Sequence, residues 1–390
     1  MTKICIKGGR VVLPTGIEEI NIISENGKIT NLTKATPEDC KVIEASGMLV
    51  TPGFVETHVH GGGGADFSDA DVKSFETAVK THLKHGVTYI YPTTMSCSKK
   101  QLFDIFTTYR EVKSTPLGKL MGGLHLEGPF LNPDMCGAQR ADIIRTPKKE
   151  ETDELFENAD IIARMTCAPE IDGMEYLAKK ASEKNILLSV GHSGATAEEA
   201  RRALDMGFSH ITHLYSATTT VRKINQRIYA GINEAAYLYD DYRIELIGDG
   251  RHVAKETMQM AVKIKGADKI NLTGDSMRAA GQDDVTESYL GDICPENRVI
   301  IEDGVAKLPD RSFYAGSIAT MDRMFKNAVL NYDISIEDAV TMLSKTPASL
   351  MGANNKGTIE TGKDCDILIW NDDFTLNKII VGGSEYETQI

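Results

Sequence analysis

His58 and His60 stand two residues apart, just after the apolar run Met48-Leu49-Val50-Thr51-Pro52-Gly53-Phe54-Val55, and four glycines, Gly61 to Gly64, follow them. In a strand, residues i and i+2 point to the same side. Two imidazoles on one face make a chelating pair for a divalent ion. The glycines let backbone approach closely and leave room for a ligand. Other ionisable side chains recur in similar settings: His125-Leu126-Glu127-Gly128-Pro129, Gly191-His192-Ser193, Thr212-His213-Leu214, Asp249-Gly250-Arg251-His252 and Thr273-Gly274-Asp275. Neutral imidazoles and a carboxylate hold an ion while keeping a position open for water. The ion acidifies that water and polarises a substrate carbonyl. An aspartate nearby accepts the water's proton and passes it to a leaving amine. The chemistry implied is hydrolysis. His58, His60, Glu127, His192 and His213 supply five ligands, with Asp275 as a sixth or as the base. That set exceeds the needs of one tetrahedral ion: either two ions share the site with Glu127 bridging, or one position is weakly filled.

Each residue also has a plainer role. A histidine in an apolar strand is often a hydrogen-bonded core residue, Glu127 before Gly-Pro could serve a turn, and Asp275 before Ser276 could cap a helix. His82 and His85, late in a helical stretch, and His210, at a strand start, fit the plainer role. The stronger candidates differ because all of them fall at the C-terminal ends of expected strands.

Those strands are Gly53 to His60, Val87 to Thr93, Lys119 to Glu127, Ile161 to Ala168, Ile186 to His192, His210 to Tyr215, Tyr242 to Gly248 and Lys269 to Asp275. Helical stretches such as Ala70 to Lys84, Lys99 to Lys113, Met174 to Glu183 and Thr196 to Asp205 separate them, and Gly316 to Val329 and Ile336 to Leu350 follow. Eight strand–helix units predict an α/β fold of the (β/α)8 TIM-barrel type, whose reactive groups gather at strand C-terminal ends. An open doubly wound sheet would want a glycine-rich phosphate turn, and Gly61 to Gly64 lack its spacing. The ends of the chain differ from the middle. Short strands are expected at Ile4 to Ile6, Arg10 to Leu13, Glu19 to Ile23 and Lys28 to Leu32, and again at Gly357 to Ile359, Cys365 to Trp370 and Lys378 to Val381. We expect residues 1–51 and 356–390 to form one small β-sandwich domain, and residues 52–355 the catalytic barrel.

The 390 residues are 41% hydrophobic with a net charge of -13, which argues against general nucleic-acid binding. The seven cysteines are scattered with no C-x-x-C pair, so a disulfide framework is not indicated and a cytoplasmic location is expected. The N-terminus lacks a signal-peptide core, and no apolar run reaches a membrane span.

The motifs resemble the N-acetylglucosamine-6-phosphate deacetylases of the amidohydrolase superfamily, along nearly the whole chain. The carriers are Pro52-Gly53-Phe54-Val55-Glu56-Thr57-His58-Val59-His60-Gly61, His125-Leu126-Glu127-Gly128-Pro129-Phe130-Leu131-Asn132, Gly191-His192-Ser193, Thr212-His213-Leu214-Tyr215, Asp249-Gly250-Arg251-His252 and Ala315-Gly316-Ser317. The resemblance implies that Glu127, His192 and His213 hold the metal common to the family, and that His58 and His60, which some members replace, hold a second. Zinc, iron, manganese, cobalt or nickel suits such ligands. It further implies Asp275 as the catalytic aspartate and His252 as a sugar contact. Ala138, Gln139, Ser216, Ala217, Ala315 and Gly316 fall where the family contacts substrate. The implied substrate is an N-acetylhexosamine 6-phosphate, and a homodimer is the implied assembly.

The chain departs from the family after strand six, where Ser216-Ala217-Thr218 replaces the usual Asn-Ala-Met and loses an asparagine that helps bind phosphate. The next loop, Val221-Arg222-Lys223-Ile224-Asn225-Gln226-Arg227, is longer than usual, with Arg227 among its positive candidates for the phosphate. Leu272-Thr273-Gly274-Asp275-Ser276 replaces the common Val-Thr-Asp-Ala. Other readings therefore stay open: hydrolysis of N-acetylgalactosamine 6-phosphate, of an N-acyl amino acid or of a cyclic amide, or a non-catalytic binding protein on the same barrel.

Overall fold

A computed structural model describes residues 3–386. Eight parallel strands form the central sheet: β1 (Phe54–Val59), β2 (Val87–Thr94), β3 (Leu124–Glu127), β4 (Ile162–Cys167), β5 (Leu187–Val190), β6 (Phe208–Ile211), β7 (Arg243–Ile247) and β8 (Ile270–Thr273), each paired with its neighbours in chain order. Just beyond the ends of β8 and β1 the sheet closes on itself. Asp275 N donates to His58 O at 3.0 Å and His60 N to Ser276 O at 2.8 Å. Helices α1 (Val72–Lys84), α2 (Lys99–Lys113), α3 (Lys149–Phe156), α4 (Met174–Glu183), α5 (Ala197–Asp205), α6 (Ile232–Leu238), α7 (Lys255–Lys265) and α8 (Met321–Leu330) surround it. Their apolar stripes, such as Phe75, Val79 and Leu83 of α1, pack on strand residues of the common core. The sequence marks several starts. Thr196 accepts from Glu199 N while the Glu199 carboxylate accepts from Thr196 N, a reciprocal cap that begins α5.

The expected terminal β unit is present. Strands Lys3–Leu13, Gly16–Glu25, Lys28–Thr33, Lys41–Glu44, Leu49–Pro52, Ile367–Trp370, Leu376–Val381 and Ser384–Tyr386 share one sheet. Leu49–Pro52 pairs antiparallel with Ile367–Trp370, so strands from the two ends of the described chain meet directly. Alternation along Ile367–Trp370 divides its labour. Ile367 and Ile369 enter a separate core with Ile6, Ile22, Val50 and Ile380. Leu368 and Trp370 face the barrel core, where Trp370 packs on Phe54 and Phe325 at 5.7 and 4.8 Å between ring centres. The expected strand at Gly357 to Ile359 is absent; these residues are irregular, with Gly357 at φ 81 against Ser344 O and Ala348.

Two further features were not expected. A hairpin joins Arg222–Ile224 to Arg227–Tyr229. A three-stranded antiparallel sheet, Glu287–Tyr289, Arg298–Glu302 and Val305–Lys307, is inserted between β8 and α8.

Candidate active site

Five of the six barrel positions that supply the hydrolytic set lie at or beyond a strand end. Glu127 is the last residue of β3, and His60 follows β1 directly. His192, His213 and Asp275 each lie two residues beyond the last residue of β5, β6 and β8. All three adopt the left-handed region, with φ of 47, 28 and 45. The expected strands ran two to four residues too far here. The chain leaves the sheet early, and each of these residues turns back over the barrel mouth. Left-handed backbone is costly for a residue with a Cβ and gathers where surrounding structure enforces it. Gly61 serves the same rim: a Cβ there would lie 2.2 Å from Ala65 O.

Glu127 sits at the centre of the site. His213 Nε2 lies 2.9 Å and His192 Nε2 3.2 Å from its Oε1. His60 Nε2 lies 3.4 Å from its Oε2, and His58 Nε2 3.4 Å from Oε1. Two groups result, His58–His60–Glu127 and Glu127–His192–His213, each with ligand atoms within 4.8 Å of one another. Asp275 Oδ1 stands 3.2 Å from His60 Nε2 and 3.4 Å from His58 Nε2. Gln139 donates to Glu127 Oε2 at 2.8 Å and accepts from Ser96 N at 3.0 Å, which helps fix that oxygen.

The outer ring nitrogens decide what the inner ones offer. His192 Nδ1 faces Met135 O at 3.0 Å, and His213 Nδ1 faces Ser216 O at 3.0 Å. A carbonyl only accepts, so both Nδ1 atoms carry the proton and both Nε2 atoms present lone pairs inward. Those two Nε2 atoms are 3.1 Å apart beside a carboxylate oxygen. His58 Nδ1 is bound to Glu245 Oε1 at 2.7 Å, while its buried Nε2 has no hydrogen-bond partner among the described residues. Converging lone pairs, a shared carboxylate and an orphaned buried nitrogen fit a divalent cation.

The supporting layer was not anticipated from the sequence. Glu245, on β7, accepts from Arg164 Nη1 at 2.6 Å and from His213 N at 3.2 Å as well as holding His58. Arg164, on β4, also donates to Ser189 and Thr212, and Asn271 ties Glu245 to Thr57. Both members of the Arg164–Glu245 pair are fully buried. Burial alone would raise the Glu245 carboxyl, but Arg164 and His58 outweigh it and hold it well below the usual range. Glu127 is likewise held well below that range: burial opposes, and His58 and His192 prevail. Asp275 is lowered in the same way, burial being outweighed by His58 and His60. Glu56 moves the other way. Burial pushes it up to about 7, against bonds from Thr273, His58 N and Gly274 N.

A cavity of about 570 Å³ opens above this floor. Of the sequence candidates, it is lined by His60, Glu127, His192, His213 and Asp275, together with Ala138, Gln139, Ser216, Ala217, His252 and Gly316. His252 is fixed by Asp249, its Nδ1 2.8 Å from Oδ2. His58 lies beneath the floor, fully buried. Ala315 is buried behind the wall. Arg227 is not among the lining residues; it stands on the 222–229 hairpin with its guanidinium 5.0 Å from the Tyr229 ring centre. The cavity also draws in residues the sequence reading passed over: Lys307, Arg311, Ser312, Phe313 and Tyr314. His82, His85 and His210 lie outside it; they bond to Gly61 O, Asp322 and Ser189.

The amidohydrolase family model matches residues 49–385. The N-acetylglucosamine-6-phosphate deacetylase of Lysinibacillus sphaericus is 30% identical over 375 residues, covering 94% of this chain and 93% of that protein. The chain belongs to the N-acetylglucosamine-6-phosphate deacetylases of the amidohydrolase family. The crystal structure of the family member from Pasteurella multocida superposes with a TM-score of 0.91 at 27% identity, covering 98% of this chain and 99% of that one. The N-acetylgalactosamine-6-phosphate deacetylase of Escherichia coli O157:H7 is 26% identical over 353 residues, covering 89% of this chain and 90% of that protein. No helix among the described residues is long and apolar enough to cross a membrane.

Proposed function

We propose that this chain hydrolyses the acetamide of an N-acetylhexosamine 6-phosphate, foremost N-acetylglucosamine 6-phosphate, to acetate and the amino sugar phosphate in amino-sugar catabolism. The observation that carries the reading is one carboxylate, Glu127, within 3.4 Å of four imidazoles at the floor of a cavity. A bound divalent ion supplies Lewis acidity there, acidifying water and polarising the amide carbonyl. Glu127, His192 and His213 would hold one ion; His58 and His60, sharing Glu127, would hold a second. Asp275 is the general base. Its lowered pKa leaves it ionised, and its place 3.2 Å from His60 Nε2 puts it where it can take a proton at the floor and return it to the departing amine. Gln139 steadies Glu127 in this scheme. His252, with Nδ1 spent on Asp249, has Nε2 left for a sugar hydroxyl. Ala138, Ser216, Ala217 and Gly316 shape the wall around the sugar.

Zinc is the ion we favour among zinc, iron, manganese, cobalt and nickel, and elemental analysis of protein purified without chelators tests it. We read the protein as a cytoplasmic homodimer, to be checked by fractionation and sedimentation. We divide it into a β unit of residues 1–51 and 356–390 and a catalytic unit of residues 52–355, which limited proteolysis would separate. The altered Ser216-Ala217-Thr218 turn supports a second reading, in which N-acetylgalactosamine 6-phosphate or another N-acyl amine is preferred. Acetate release from both sugar phosphates and from unphosphorylated N-acetylglucosamine distinguishes them. Silence on all three with metal present would overturn the first reading.

A further inference from the structure

Strand β4 carries no metal-ligand candidate, yet the chain just beyond it reaches the ligand loops on both sides. Glu170 lies three residues past the end of β4 and is not among the residues lining the cavity. Its carboxylate accepts three bonds. Oε1 takes Asn132 Nδ2 at 2.9 Å and Gly194 N at 2.5 Å, and Oε2 takes Ser193 Oγ at 2.7 Å. Asn132 belongs to the loop that leaves β3 after Glu127, and Ser193 and Gly194 follow His192 in the loop after β5. One carboxylate therefore joins the loops of two ligand candidates across the strand between them.

Both arms of this junction end on His192. Asn132 N donates to His192 O at 3.0 Å. Asn132 also folds the short turn Pro133–Met135, its Oδ1 accepting from Asp134 N at 3.0 Å and its O from Met135 N at 2.9 Å. That turn presents Met135 O to His192 Nδ1 at 3.0 Å, the bond that sets the tautomer of the ring. The other arm holds the backbone. Gly194 is gripped at both ends, its N–H by Glu170 and its O by Arg222. A Cβ on Gly194 would lie 2.8 Å from Asn132 Nδ2, so glycine lets the loops close this tightly. His192 itself stands at φ 47, a costly backbone that persists only with outside support.

We propose that Glu170 is the positioning residue for His192. Through Asn132 and Met135 it sets the imidazole, and through Ser193 and Gly194 it sets the strained backbone beneath. The proposal rests on the deacetylase reading above for the role of His192 as a metal ligand. Bonds from N–H and O–H groups to a carboxylate are charge-assisted and stronger than neutral ones. Outer groups that orient a ligating imidazole govern the affinity for the ion. Glu170 bonds to no ligand side chain, so its effect on the reaction passes through the placement of His192.

The test compares wild type with Glu170→Ala and Glu170→Gln. Glutamine keeps one oxygen for Asn132 and Gly194, and the Ser193 hydroxyl can turn to accept from its amide. The readouts are zinc affinity by competition with a chromophoric chelator, the visible spectrum of the cobalt-loaded protein, and the NMR spectrum of isotope-labelled histidines in the metal-free protein, with His192 assigned through His192→Gln. Glu170→Ala should weaken zinc binding by about 10- to 100-fold, alter the cobalt bands and move the His192 ring signals off the Nδ1-protonated pattern. Glu170→Gln should restore most of all three. A carboxylate that merely fastens loops would lower the melting temperature and leave the cobalt bands and the His192 tautomer as in wild type; that result, or unchanged zinc affinity in Glu170→Ala, would overturn the proposal. Should Glu170→Ala not fold, Glu170→Asp, one methylene shorter, takes its place with the same outcomes. If wild type bound neither zinc nor cobalt, the metal reading would fall by itself. The histidine spectrum would then decide: a His192 signal displaced in Glu170→Ala and restored in Glu170→Gln upholds the positioning role, and an unmoved one overturns it.

Discussion

The floor and the mouth of the cavity are built on opposite principles. At the floor every reactive group is buried and held from behind: His58 by Glu245, Glu127 by Gln139, His192 and His213 by backbone carbonyls. At the mouth, the hairpin through residues 305–314 carries Arg311 in a half-exposed pair with Glu302, beside Lys307 bonded to Asp303. A buried polar network fails if any one member is removed, so the floor tolerates little change. Exposed pairs contribute about 0–1 kcal/mol each, so the mouth can be rebuilt without endangering the fold. The proposed hydrolysis draws on the first region, and the second is the one free to vary.

The largest effect should come from the floor. Asp275→Asn keeps the shape of the base and removes its function, so turnover should drop by about 10²- to 10⁴-fold, the usual contribution of a general base. Elemental analysis should find metal retained. Turnover within tenfold of wild type would remove Asp275 from its role. Next comes Glu245→Gln. It leaves the Arg164 guanidinium buried without its counter-charge, which costs about 3–5 kcal/mol and should show as a lower melting temperature. The same change replaces the carboxylate behind His58 Nδ1 with a neutral, weaker acceptor, and metal affinity should fall by about 10- to 100-fold. A stable variant with unchanged affinity would show that the floor is less tightly built than its bonds suggest.

Removal of metal by a chelator is expected to cost less. Ligand present at a hundred times its dissociation constant stabilises a fold by about 2.7 kcal/mol, so the chelated protein should melt earlier and recover when the ion returns. An unaffected melting curve would separate the imidazole cluster from metal binding. The smallest effect concerns His82, packed under the rim with Nε2 on Gly61 O and held by burial at a pKa of about 4. The unfolded chain binds a proton here at about 6.5, the native one only near 4, so the stability it contributes is full above about 6.5 and lost as pH falls towards 4. His82→Gln should flatten denaturant-measured stability across that window. An unaltered slope would assign the acid sensitivity to other buried histidines.

Most of the barrel can be read from the chain because its strands are apolar runs with turn signals between them, and α2 and α4 begin and end where periodicity places them. The ends of β5, β6 and β8 could not be read so well. His192, His213 and Asp275 extend an apolar stretch in sequence, and nothing in their side chains announces a left-handed backbone. Arg164 and Glu245 did leave a signal. A charge in the middle of Ile162–Cys167 or Arg243–Ile247, strands buried on both faces, needs a partner of opposite sign. The hairpin at the mouth left one too. Asp303-Gly304, with φ of 54 and 76, is the two-residue turn between Arg298–Glu302 and Val305–Lys307. What it could not disclose was where that hairpin points, because that follows from the docking of the whole inserted sheet.

The pairing of Leu49–Pro52 with Ile367–Trp370 has a consequence for the order of events on the ribosome. About 300 residues must be translated between the two strands, which at about 5–20 residues per second takes on the order of 15–60 s. Throughout that interval the N-terminal sheet has one side unpaired, and Phe54 at the head of the barrel waits for Trp370. Nascent chains stalled before Ile367 should therefore be the protease-sensitive ones, and Ile367–Trp370 acts as the clasp for the N-terminal strands.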